Sequence, residues 1–137
     1  LKVWVRTEKN EEHPVYFFGD KPVLMVKANR ECYVTILDKF PDGRDTLLIA
    51  NYHIGSANAN EWLKIPISGE IEVCEPAGTE QLLVMACTEP IPIPPTVRET
   101  APDGEGYIDV IVKTRGIKKK KETLYTEKNW QWTVLKK

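Results

Sequence analysis

The chain has 137 residues, a formal net charge of −1, 42% hydrophobic residues and 28% charged residues. That length and balance predict one globular domain and argue against disorder, while a charge near zero gives no field to recruit nucleic acid or an anionic membrane. No apolar run approaches the length of a membrane span, so membrane insertion is not expected.

The hydrophobic pattern has period two almost throughout, the signature of strands with one buried face. Val3 and Val5 alternate with Trp4 in a first strand near residues 2–8, followed by the polar break 9–14. A second strand covers Val23 to Ala28. Cys32 to Asp38 and Thr46 to Asn51 form a hairpin around Pro41-Asp42-Gly43. Pro41 pre-sets the first corner, and Gly43 accepts a positive φ, with a bulge at Gly43 able to shift the register. Residues 52–61 read as a polar loop with one helical turn, and Trp62 to Ile67 as a short strand. Ile71 to Glu75 and Gln81 to Thr88 read as another hairpin, with Val73 opposite Leu82 and Ile71 opposite Val84. The proline-rich stretch 89–96 reads as an extended connector, because proline has no amide to donate to a central ladder. A second Pro-Asp-Gly turn at 102–104 precedes a strand from Tyr107 to Lys113. Lys118 to Lys121 interrupt, and a last strand at 130–134 puts Trp130, Trp132 and Val134 on one face. Many short strands with frequent turns predict an all-β fold: a two-sheet antiparallel β-sandwich of seven to nine strands, immunoglobulin-like or related, with few or no helices. The expected domain is residues 1–137 as one unit. A start at Leu1 inside a strand-like pattern reads as excision from a longer chain.

Over residues 3–90 the chain resembles a bacterial domain family of unknown function, the one numbered 4384. The matching residues are Val3-Trp4, Gly19-Asp20, Cys32-Tyr33, Pro41-Asp42-Gly43, Leu47-Leu48, Asn51, Ile65-Pro66 and Pro76-Ala77-Gly78-Thr79-Glu80; Ala50 stands where the family usually has proline. The resemblance implies an accessory module beside catalytic or cell-envelope domains and brings no catalytic residues.

The chemistry-bearing residues are sparse. Cys32, Cys74 and Cys87 are too few and too odd in number for a disulfide framework, and the hairpin register separates Cys74 from Cys87. Free thiols are expected, which fits a reducing compartment better than an oxidising one. His13 and His53 are far apart in sequence, so no metal is expected. Asp38, Asp42, Asp45 and Asn51 crowd one hairpin end; calcium is weighed there and rejected in favour of turn chemistry. Ser56 and Ser68 lie outside any nucleophile-elbow motif, and Cys32 alternates in register with Val34 and Ile36 as a buried thiol would. Lys118 to Lys121 reads as a charged strand edge or loop tip that blocks sheet-edge pairing, and Pro92-Ile93-Pro94-Pro95 as a rigid connector rather than a peptide ligand.

The expected function is a non-catalytic accessory or interaction module with no cofactor. Its partners would be other domains of the same polypeptide or another protein, not nucleic acid. The alternatives are a carbohydrate- or ligand-binding module using exposed tryptophans, and an enzyme with an unconventional, Cys32-based site. Candidate partner-binding residues are Tyr52, His53, Asn58 and Asn60 in the long 51–61 connection, together with Trp130 and Trp132.

Overall fold

The computed structural model describes residues 1–65, 71–92, 97–100, 105–114 and 116–137. Among them are ten strands: β1 (Val3–Thr7), β2 (Val15–Phe17), β3 (Leu24–Ala28), β4 (Cys32–Lys39), β5 (Asp45–Ile54), β6 (Leu63–Lys64), β7 (Gly78–Cys87), β8 (Val97–Thr100), β9 (Glu105–Thr114) and β10 (Ile117–Leu135). A single 3₁₀ turn covers Ser56–Asn58. Two sheets pack as a sandwich. The small one has the order β1-β3-β6; the large one runs β5-β4-β7-β10-β9-β8, with β2 added alongside β10. The expected all-β sandwich is the observed architecture, with ten strands among the described residues. Among the described residues every pairing is antiparallel except one, the three-residue parallel match of β2 to β10.

Alternation places the core. Val3 and Val5 of β1 and Leu24, Val26 and Ala28 of β3 point inward from the small sheet. Val34 and Ile36 of β4, Leu82, Val84 and Ala86 of β7, and Trp130, Trp132 and Val134 of β10 meet them from the large sheet. Fully burying a side chain such as Val26 or Leu82 contributes about 1.5–3 kcal/mol. A second, smaller cluster lies apart from this core: Met85, Cys87, Ile91 and Tyr125, with Leu37 and Leu83 against it. Asn51 fastens the segment over it. Its amide donates to the Ile91 carbonyl at 3.0 Å and its carbonyl accepts from the Ile91 amide at 2.9 Å.

The hairpin around Pro41 forms as expected. The Gly43 N–H donates to the Phe40 carbonyl at 3.0 Å, and Gly43 takes φ +89. The irregularities of pairing fall further along, beside Ile36, where Asn51 adopts φ +50.

Three expectations are corrected. Residues 71–75 are not a strand paired to β7; Val73 instead exchanges backbone hydrogen bonds with Gly19 and Asp20, and β7 lies between β4 and β10. A central strand with a neighbour on each side has no free edge for a hairpin partner. The lysine run does not interrupt a strand either. It lies within β10, with Lys118 opposite Lys113 and Lys121 opposite Val110, in a hairpin that turns through Gly116 at φ +78. Main-chain bonds carry that ladder whatever the side-chain charge. Third, β5 extends to Ile54, so Tyr52 and His53 belong to a strand and not to a loop. The proline connector at 93–96, the second Pro-Asp-Gly turn, Ser68 and the residues beyond Ile65 of the expected 62–67 strand lie outside the described residues.

Candidate functional site

β10 is the longest strand, and its neighbours do not cover it evenly. On one side β7 pairs with residues 125–134 without a break. On the other, β9 pairs as far as Thr126, and β2 begins at Thr133. Among the described residues, nothing pairs with that edge of β10 between Glu127 and Trp132. At a strand rise near 3.3 Å, six residues span roughly 20 Å.

Three hollows lie along this stretch. One, of about 340 Å³, is walled by Leu1–Trp4 and Thr126–Lys128. A second, of about 320 Å³, has Trp4, Arg6, Trp62, Lys128 and Trp130 in its walls, with Asn10, Glu11 and Glu12 at the rim. A third, of about 340 Å³, is formed by Gln81 and Asn129–Gln131. Trp4 and Lys128 are common to the first two, and Trp130 to the last two. The first two make a groove along the seam between β1 and β10, and the third lies on the other face of the large sheet, over β7 and β10.

The groove's small-sheet wall follows from strand parity. Val3, Val5 and Thr7 are buried, so Trp4 and Arg6 project from the opposite face of β1. Lys27 lies directly opposite Trp4 on β3, and continuing the β3–β6 register places Trp62 beside Lys27. The Lys27 ammonium sits 4.8 Å from the Trp4 ring centre and 5.1 Å from that of Trp62. The Arg6 guanidinium lies 4.4 Å over Trp62, and its Nη1 donates to Asn10 Oδ1 at 3.0 Å. Cation–π contacts at part-exposed positions contribute about 0.5–1 kcal/mol each, enough to hold the rings in place.

Trp130 and Trp132 behave differently. They are 8% and 1% exposed and meet edge to face at 5.8 Å. Tyr16 packs on Trp132 at 5.5 Å, and burial raises its hydroxyl pKa well above the ordinary range. The Trp132 indole N–H donates to Glu80 Oε2 at 2.7 Å. Glu80 faces Asp38 across the end of the core. Burial, then the hydrogen bond and the charge from Glu80, push Asp38 up to about 9. Asp38 therefore holds a proton at neutral pH. The hydrogen bond between the two carboxyl groups holds that proton, and the buried Oδ1 has no hydrogen-bond partner among the described residues. A hollow of about 220 Å³ opens beside the pair.

The sequence-derived site residues are not brought together. Tyr52 is half-buried against the core. His53 is exposed, stacked on Tyr33 at 4.8 Å and 3.3 Å from a Glu31 carboxylate oxygen. Asn58 is exposed in the 3₁₀ turn. Asn60 takes φ +65 and donates its N–H to the Ala28 carbonyl at 2.7 Å, pinning the connection to β3. None of the four hollows described above has a wall from residues 51–61. The tryptophans of the exposed-tryptophan alternative, Trp130 and Trp132, are buried. Trp130 reaches the groove only as part of its wall, Trp132 is interior, and the half-exposed indoles are Trp4 and Trp62. Parity around Val3 and Val5 was the available signal for Trp4; Trp62 carried none.

The other candidates resolve into structural roles. Asp42 accepts from the Arg44 backbone N–H at 3.1 Å and from Arg44 Nε at 2.7 Å, which lowers its pKa. Asn51 is engaged with Ile91, and among the described residues no three His, Cys, Asp or Glu side chains group closely enough to hold a metal ion. Cys32 is buried, its thiol pushed up to about 11 by desolvation, and Cys32 and His53 lie on opposite faces of their strands. All three cysteines are free thiols; Cys32 and Cys87 are buried and Cys74 is exposed. No helix among the described residues is long and apolar enough to cross a membrane.

No family model matches the chain, and neither the curated proteins nor the solved structures contain a match to it.

Proposed function

We propose that this domain is a non-catalytic interaction module whose recognition surface is the β1–β10 seam groove. The observation that carries the reading is the groove itself: two adjoining hollows along the β1–β10 seam, walled by the half-exposed Trp4 and Trp62, which Arg6 and Lys27 hold in place. Preorganised aromatic and arginine side chains at the centre of a concavity are what binding hot spots are made of. Glu11 and Glu12 at the rim offset Arg6 and Lys128, so the groove favours a ligand without strong net charge. A protein or peptide partner fits the accessory setting that the resemblance over residues 3–90 implies.

The exposed indoles also favour a second reading, a neutral saccharide stacked on Trp4 and Trp62. One experiment separates the two. A displayed peptide library and a panel of neutral oligosaccharides are screened against the purified domain, and binders are titrated by calorimetry. The interaction reading expects a peptide whose affinity falls tenfold or more with Trp62→Ala and is unchanged by His53→Ala. Oligosaccharide binding alone, or peptide binding indifferent to Trp62→Ala, contradicts it.

A further inference from the structure

We infer that the groove's occupant is an extended peptide segment that adds to the large sheet as a strand, hydrogen-bonded to the open edge of β10 between Glu127 and Trp132. The inference rests on the interaction reading above and specifies the partner's form.

The backbone groups along the gap point the right way for a strand partner. In an antiparallel ladder, successive residues turn their N–H and C=O alternately to the two sides. Three hydrogen bonds set the phase along β10. The Thr133 N–H donates to the Pro14 carbonyl and the Leu135 carbonyl accepts from Phe18, both on the β2 side. The Leu124 carbonyl accepts from Thr88, on the β7 side. The register with β7 has no shift between 125 and 134, so the phase holds throughout. Odd-numbered residues therefore direct their main-chain groups away from β7. Those of Glu127, Asn129 and Gln131 point into the gap, where no described backbone pairs with them. They form three donor–acceptor pairs at two-residue spacing, the pattern a strand partner requires.

The hollows lie where such a strand's side chains would go. A strand added at this edge would send alternate side chains to the two faces of the sheet. On the core side lies the indole-walled hollow of Trp4, Trp62 and Trp130. On the opposite side lies the hollow between Gln81 and Gln131, which face each other across β7 and β10. An apolar-polar alternation in the peptide matches that pair of walls. Main-chain bonds would supply register and affinity, and the indole hollow selectivity, as in other strand-addition complexes. Lys128, exposed at the gap, is the usual guard against indiscriminate edge pairing and selects against a basic residue beside it.

The gap also limits the length of the segment. The gap is closed at one end by β9 and at the other by β2, with the His13 ring bridging Thr133 Oγ1 at 2.9 Å and Gln131 Nε2 at 3.2 Å. The room is for about six residues. A long sheet edge would invite any strand; one bounded at both ends takes a short segment.

The test uses the tightest peptide from the display screen, made in normal form and with alternate backbone amides N-methylated in each of the two possible phases. Amide exchange in the domain is followed by NMR with and without it. Strand addition expects exchange at Glu127, Asn129 and Gln131 to slow tenfold or more on saturation. It also expects one methylation phase to lower affinity tenfold or more while the other does not. Asn129→Pro removes one gap-facing N–H while sparing the bonds to β7, and should weaken the normal peptide about tenfold in a variant whose circular dichroism is unchanged. A peptide that binds and is weakened by Trp62→Ala, yet leaves those three amides exchanging as before and tolerates both methylation phases, overturns strand addition and leaves the interaction reading standing. If no peptide binds, both fall.

Discussion

The four tryptophans divide into two pairs that the same chemistry puts to opposite uses. Trp130 and Trp132 lie on the core face of a central strand, meet edge to face, and give up their surface to the interior. Trp4 and Trp62 lie on the outward face of a three-stranded sheet and keep part of theirs, stabilised by Arg6 and Lys27. The difference comes from parity and neighbours, not from residue type. An indole on the buried parity of a covered strand becomes scaffold; on the other parity it becomes available surface.

The strongest way to break that division is truncation. Trp132→Ala should cost about 3–5 kcal/mol in a chemical denaturation experiment, whereas Trp62→Ala should cost about 1 kcal/mol or less. Comparable losses from the two would show that Trp62 belongs to the scaffold. A subtler cut is Trp132→Phe, which keeps the ring and removes the N–H bonded to Glu80. Leaving a buried carboxylate short of a donor should cost about 1–3 kcal/mol.

The carboxyl pair behind Trp132 gives a pH test of the same interior. Asp38 titrates near 9 in the folded protein and near the ordinary 3.9 unfolded. Below about pH 4 both states are protonated and the group is neutral to stability. As pH rises towards 9 the unfolded chain ionises while the folded one keeps its proton, so stability falls, by at most about 1.4 kcal/mol per pH unit. Asp38→Asn removes this dependence. Its melting temperature relative to the parent should therefore climb from pH 5 to pH 8. A constant difference would mean that Asp38 is ionised in the native state.

The smallest effect concerns the thiols, which mark the same boundary between interior and surface. In native protein, an alkylating reagent should modify Cys74 quickly and spare Cys32 and Cys87, whose thiols burial holds in the protonated form. After unfolding without reductant, mass spectrometry should find all three modified. Rapid modification of Cys32 in the native state would contradict its place in the core.

Much of the scaffold was legible. Alternation around Val3, around Val34 and along 107–113 fixes strands that the fold contains, and Pro41-Asp42-Gly43 forms the turn its chemistry predicts. Local patterns fail where the deciding contact is remote. β2 is three residues long and exists because β10 receives it in parallel 118 positions later. The apparent hairpin across Pro76 dissolves because β7 finds better neighbours in β4 and β10. The lysine run reads as a break only if side-chain charge is allowed to outweigh a continuous main-chain ladder. The groove was the least legible part. It is defined by where β9 stops and β2 starts, and no residue type marks the end of a neighbour. Trp4 could be placed outward from its own strand, but its meeting with Trp62 and Lys128 needed the packing of both sheets.

Amide hydrogen exchange in the free protein tests the open edge of β10 most directly. Across residues 127–132 exchange should alternate. The amides of Lys128, Trp130 and Trp132, bonded towards β7, should exchange slowly. Those of Glu127, Asn129 and Gln131 should exchange at least a hundredfold faster. Uniformly slow exchange across all six would mean that the edge is already paired, and the recognition site proposed here would not exist.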